Sequence, residues 1–195
     1  VLIVGLLSSE VVSMSGQEIE NLESVLVLGD PLILVFLKNI ILGDIGEGKE
    51  ILMHPVAFAG WIGIFITALN LIPVGQLDGG HIVYSVFPRK LHNYISRFCV
   101  VLLVFMGFGT EAIFFLIDHY SLFDYSNTVF ESLRFRGSEI WLVWGVLLLF
   151  LGLKHPPTFY DEIDIGLKRK IIAFIALIIF IVCFTPSPIK VMEFG

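Results

Sequence analysis

Asn70, Pro73, Asp78, Gly79 and Gly80 fall within eleven residues, Asn70-Leu71-Ile72-Pro73-Val74-Gly75-Gln76-Leu77-Asp78-Gly79-Gly80, and follow an uncharged apolar run over 56–69. A carboxylate can bind a metal or carry a proton, and an amide can donate to an oxygen that gains charge in a transition state. Pro73 lacks an N–H and disfavours helix at Ile72. The glycines permit backbone angles and close approaches that a side chain forbids. The stretch therefore breaks a helix and frees backbone groups. At membrane depth lipid cannot satisfy such groups, so they must be buried in protein or line a wet cavity. Asp78 has two readings at this point: a functional carboxylate in an apolar setting, or a cap for the free N–H groups of its own helix.

The elements that position these residues are apolar. The chain has 195 residues, 56% hydrophobic and 15% charged, where a soluble domain carries about 25% charged residues. The deficit implies an integral, multi-pass membrane protein whose first partner is the lipid bilayer. Residues 1–52 hold eight acids and two bases, and the remainder balances to zero, for a net charge of −6. This acidity argues against nucleic acid, which requires clustered Lys and Arg. Cys99 and Cys183 both lie in apolar stretches and read as small buried hydrophobes rather than a disulfide. Residues 1–7 are apolar with no basic residue ahead of them, unlike a signal peptide. They read as the tail of a helix that begins upstream, in a fragment or processed chain.

Beyond that start, five segments suit a bilayer. Residues 31–42 are short and include Lys38, as a surface-lying or re-entrant helix would. Residues 56–72, 98–117, 140–153 and 171–185 are the others, the short ones crossing by an added turn, by tilt or by local thinning. Polar links cover 8–30, 43–50, 118–139 and 154–170. Arg89, Lys90 and Arg97, then Lys154, Lys168, Arg169 and Lys170, outnumber the basic residues of the alternate loops. The positive-inside rule thus places 88–97 and 154–170 together in the cytoplasm.

The arrangement Asn-x-x-Pro-x-x-x-x-Asp-Gly resembles the second signature of the site-2 protease family of intramembrane zinc metalloproteases. His54-Pro55, Trp61-Ile62-Gly63 and Gly75-Gln76-Leu77-Asp78-Gly79-Gly80-His81 look like the branch without a PDZ domain, and the strong similarity covers about 54–86. The resemblance implies that Asp78 is a zinc ligand and that Asn70 is the catalytic amide on the substrate side. Pro73, Gly79 and Gly80 would shape the break. The substrates would be transmembrane proteins, cut within the membrane. In that family two histidines of a His-Glu-x-x-His helix complete the zinc site, and its Glu activates the water. Catalytic zinc commonly has three protein ligands and an open water position, and it lowers the pKa of that water to about 7. No His-Glu-x-x-His occurs in these 195 residues. Either the two further ligands lie outside this chain, or the protein is an inactive relative acting as a membrane scaffold. Taken alone, the chain is expected to be inactive.

Other residues are read more plainly. His81 is a candidate for the shell around the metal, but a helix-start histidine in a local hydrogen bond is the favoured reading. His54 is read as structural, at the entry of the following span. Glu111 is read as standing beside a helix break at Gly107, Gly109 and Thr110. His155-Pro156-Pro157 is read as a rigid turn, and the tryptophans as packing or interface anchors.

The expectation is an all-α, multi-span transmembrane bundle with a broken helix at Asn70–Gly80. Residues 1–55 would hold a truncated helix end, an acidic segment and a short or re-entrant helix. Residues 56–86 would form the protease core, and 87–195 three further membrane helices with loops. The whole would be the C-terminal part of a zinc-dependent intramembrane endopeptidase. A transporter also uses discontinuous helices, but a second broken helix is not evident in this sequence.

Overall fold

The computed structural model describes residues 1–13, 24–43, 49–110, 115, 117, 119–120, 137–156 and 165–193. Glu111, Pro157 and most of the 118–139 loop lie outside these residues. The described chain is mostly helical: α1 Leu2–Leu7, α2 Leu32–Ile41, α3 Pro55–Asn70, α4 Asp78–Val86, α5 Arg89–Phe108, α6 Glu139–Leu151 and α7 Leu167–Cys183. Four short strands accompany them: β1 Glu10–Ser13, β2 Ser24–Leu28, β3 Lys49–Leu52 and β4 Ile189–Glu193. They form two antiparallel pairs, β1 with β3 and β2 with β4. The expected all-helical fold therefore gains small sheets within stretches read as polar links and tail. The chain divides into two units, 1–70 with 177–195, and 71–176.

In the first unit, Leu6 of α1, Leu34 of α2 and Trp61 of α3 form the core, joined by Leu2, Leu37 and Phe65 among others. Gly5 and Gly60 lie where α1 crosses α3, and a Cβ at either would meet the backbone of the opposing helix. Small residues of this kind let two backbones approach closely. Phe58, Trp61 and Phe65 stack along one face of α3 at helical spacing, as residues three and four apart share a face. The Trp61 indole Nε1–H donates to the Gly29 carbonyl at 2.8 Å. Gly29 in turn donates to the Pro188 carbonyl at 2.7 Å. Pairing runs from Ser24 opposite Glu193 to Leu28 opposite Ile189, so α3, the β2 end and the tail share one anchoring point. His54 acts structurally: its N–H donates to Ser9 Oγ, and its Nδ1 accepts from the N–H of Val56 as α3 begins.

In the second unit, α5 packs on α6 in opposite directions: Gly107 faces Leu142, and Gly145 faces Val104. The Ser138 N–H donates to the Met106 carbonyl at 3.1 Å. Helix α5 starts at Arg89, nine residues before the apolar run begins, and stops at Phe108, where Gly109 takes φ 69°. That stop agrees with the break read at Gly107 to Thr110. Among the described residues, α5 is the one helix both long and apolar enough to cross a membrane, while α2, α3 and α6 are shorter apolar helices. Much of their apolar surface is uncovered, including Phe98, Val101 and Phe105 on α5, Val143 and Phe150 on α6, and Ile172 and Phe174 on α7. Contiguous exposed apolar faces of this kind mark contact with a membrane or a partner.

Candidate functional site

Helix α3 ends at Asn70 and α4 starts at Asp78, so the Pro-Gly stretch breaks the helix. Between them Ile72, Pro73, Val74 and Gly75 are buried. The Val74 carbonyl accepts from Leu77 N–H at 3.1 Å, closing a tight turn. Gly75 has φ 53° inside that turn, a left-handed conformation that costs other residues about 1–2 kcal/mol. The turn is pinned from α5, where buried Ser96 Oγ accepts from the Gly75 N–H at 3.3 Å. A Cβ at Gly75 would also collide with the carbonyl of Gly152, the residue that ends α6.

The glycine pair serves the same turn. A Cβ on Gly79 would overlap the Leu71 carbonyl, and one on Gly80 would overlap the carbonyls of Gly75 and Val74. Gly79 and Gly80 thus let the first turn of α4 seat directly against the reversal. Asp78 is held at the start of α4 by this packing.

The carboxylate itself stands at the first helical position. Leu77 is the N-cap and gives no side-chain cap. Among the described residues Asp78 makes no hydrogen bond, and it is exposed. Its charge is favourable beside the free N–H groups of a helix start, but it does not cap them by a direct bond. Asn70, eight residues earlier, is the exposed last residue of α3 and belongs to the first unit. Pro73, Asp78, Gly79, Gly80 and His81 belong to the second.

His81 differs from the local hydrogen bond favoured in the sequence reading. Its Nδ1 lies 2.6 Å from Nε2 of His155, 74 residues away. His155, read as part of a turn, has its Nδ1 2.6 Å from the Pro156 carbonyl oxygen. The Tyr84 ring stacks on His155 at 4.0 Å between centroids. The His92 ring meets both edge-on, at 5.4 Å from Tyr84 and 6.0 Å from His155. His92 is fully buried, and neither of its ring nitrogens has a hydrogen-bonding partner of ordinary geometry. Sequence reasoning missed this aromatic–histidine cluster. No periodic pattern links 81–92 to 155; the one available signal was the basic-residue balance that set 88–97 and 154–170 on the same side. Arg97 and Lys154 do meet, with Asn93, Gly152 and Leu153, around one cavity of about 350 Å³.

Among the described residues, no group of three or more His, Cys, Asp or Glu side chains is placed to hold a metal. The donor set fits zinc in one respect: Asp78 is an exposed carboxylate at a helix start that makes no hydrogen bond among the described residues.

Comparisons with known proteins agree with the motif. The chain is similar to a protein named probable zinc metalloprotease EGY1, chloroplastic, from Arabidopsis thaliana, at 30% identity over 135 residues, 69% of this chain and 20% of that protein. It is 34% identical over 82 residues to probable zinc metalloprotease EGY2, chloroplastic, from Oryza sativa subsp. indica, covering 42% of this chain and 15% of the relative. It is 41% identical over 61 residues to probable zinc metallopeptidase EGY3, chloroplastic, from Arabidopsis thaliana, covering 31% and 10%. The chain thus spans between a tenth and a fifth of the length of these relatives. No solved structure matches it. The family model for Peptidase family M50 matches residues 7–111, more than half of the sequence, and the chain belongs to that family.

Proposed function

We propose that this chain is part of a zinc-dependent intramembrane endopeptidase that cleaves transmembrane protein substrates. One observation carries the reading: Asp78 sits at the start of α4, exposed and free of a capping bond, behind a reversal that Pro73, Gly75, Gly79 and Gly80 build for it. A simple helix cap needs neither the buried turn nor the glycine pair.

In this reading Asp78 supplies one zinc ligand, and two histidines from outside the chain supply the others. Zinc, when bound, polarises the scissile carbonyl and makes hydroxide available near neutral pH. Asn70 donates through its side-chain amide to the substrate carbonyl oxygen as it gains charge. Gly79 and Gly80 hold the α4 start in place, and His81 stands one turn further along the same helix face. The uncovered apolar faces of α5, α6 and α7 meet lipid in a multi-pass protein, with α2, α3 and α6 accommodated by tilt or local thinning. The domain reading, with the protease core in 56–86 and further membrane helices after it, belongs to this proposal. The family membership and the names of the relatives favour an enzyme over a membrane scaffold.

The test uses the gene product that carries this chain, purified in detergent. Asp78→Asn is expected to lose zinc, measured by atomic emission, together with cleavage of a transmembrane-segment reporter. Asn70→Ala is expected to keep zinc and lose cleavage. Full zinc content and undiminished proteolysis in Asp78→Asn would refute the assignment.

A further inference from the structure

Two cations meet where the apolar faces of α5 and α6 end. Gly107 lies against Leu142 and Gly145 against Val104, so the two helices run in opposite directions in a fixed register. Carried about two turns further, that register brings Arg97 of α5 level with Gly152, the residue that ends α6. There Arg97 and Lys154 line the cavity of about 350 Å³ with Asn93, Gly152 and Leu153. Both cations are exposed, and none of the described residues lining the cavity is acidic. The carbonyl end of α6 contributes about half a negative charge, against two full positive charges. The cavity therefore favours an anion. Arginine holds a phosphate through two parallel N–H bonds and lysine holds it as a point charge. The Asn93 amide adds a neutral donor.

The surroundings say what kind of anion fits. Arg97 heads a row with Val101 and Phe105, since residues four apart share a helix face, and both apolar side chains are uncovered. Phe98, its chain neighbour, is uncovered too. On α6 the last turns leave Leu147, Phe150 and Leu151 uncovered, Phe150 at 86%, and Lys154 follows three residues later. The charged cavity stands at the polar end of two apolar faces. A soluble anion would use the cations and leave those faces unexplained. A phospholipid matches both parts, with an anionic phosphate diester and apolar acyl chains. Basic pockets between membrane helices on the cytoplasmic side bind headgroups of this class, and the basic-residue balance puts 88–97 and 154–170 on that side.

We propose that this cavity holds the phosphate of one anionic phospholipid through Arg97, Lys154 and Asn93, with its acyl chains along Phe98, Val101 and Phe150. The site rests on the membrane reading of α5 and α6, and on neither zinc nor proteolysis.

The gene product that carries the chain, purified in a non-ionic detergent, is titrated with phosphatidylglycerol or phosphatidylcholine, and lipid adducts are counted by native mass spectrometry. One phosphatidylglycerol should bind saturably, about 10-fold or more tightly than phosphatidylcholine. Arg97→Gln and Lys154→Gln, both at exposed positions, should each weaken it about fivefold, and the double variant about 25-fold. Asn93→Leu keeps every charge and should still weaken it. Arg89→Gln with Lys90→Gln removes two exposed charges from the same helix but none from the cavity, and should leave binding nearly unchanged. Equal affinity for the two lipids would overturn the proposal. So would a loss in the Arg89 and Lys90 double variant as large as in the Arg97 and Lys154 one, because that is diffuse attraction without a site. Displacement of phosphatidylglycerol by an equal concentration of inorganic phosphate or glycerol 3-phosphate would assign the cavity to a soluble anion and overturn the lipid. Failure of the membrane reading would show separately, because alkaline carbonate would then release the gene product from membranes. Failure of the site alone would leave it embedded and indifferent to headgroup charge.

Discussion

Replacing Gly79 by Ala sets two effects of known size against each other. Within a helix, Ala is favoured over Gly by about 0.8–1 kcal/mol, so local propensity predicts that α4 gains stability. At Gly79, however, the nearest atoms to an added Cβ are the carbonyl groups of Leu71 and Ile72, all backbone. A flexible side chain could swing aside, but the buried reversal at 71–77 cannot. Overpacking of this kind costs about 1–3 kcal/mol. With the middle of that range, about 2, set against a gain of about 1, the net effect is a loss of roughly 1 kcal/mol. Gly63 is the internal control, because it lies within α3 and a Cβ there meets nothing within 4 Å. Gly63→Ala should be neutral or stabilising by up to about 1 kcal/mol. The two variants should therefore differ by about 1–2 kcal/mol, or about 2–8 °C in Tm for a chain of this size. Thermal unfolding of both in one detergent, followed by circular dichroism, measures the difference. Equal Tm values, or a more stable Gly79→Ala, would refute the claim that the glycine pair exists to seat α4 against the turn.

Two further outcomes follow from single hydrogen bonds. Ser96→Ala removes the buried acceptor of the Gly75 N–H; it should cost about 1 kcal/mol and speed hydrogen exchange at the Gly75 amide, and unchanged exchange would show that Ser96 does not pin the turn. Trp61→Phe keeps the aromatic stack but strands the Gly29 carbonyl, with an expected loss of about 1–3 kcal/mol; a Tm equal to that of the parent would show that this bond contributes nothing.

Helix positions were legible where hydropathy and breakers coincide. The apolar run after His54 and the stop near Pro73 delimit α3 to within two residues of its observed ends. The start of α5 was not legible from apolarity, because its first turns carry Arg89, Lys90 and Arg97, and charged residues are no obstacle to helix where the turns that hold them stand ahead of the apolar run. The strand pairs escaped for a different reason. Ser24–Leu28 and Ile189–Glu193 are each too short to declare themselves, and their partner is 161 residues away. In the site, Asp78 and the glycines could be named because their chemistry is local. The His81–His155 contact could not, since it depends on how α4 and the 152–156 segment come together.

The discontinuous make-up of the first unit constrains its birth on the ribosome. Strand β2 is complete at Leu28, but its partner β4 begins at Ile189. At about 5–20 residues per second, the nascent chain carries this strand unmatched for about 8–30 s while everything between is synthesised. Its open hydrogen-bonding groups are a template for wrong pairings during that interval. Termination near residue 185 would make the interval permanent, leaving the helices intact in sequence but Gly29 without the Pro188 carbonyl that receives its N–H.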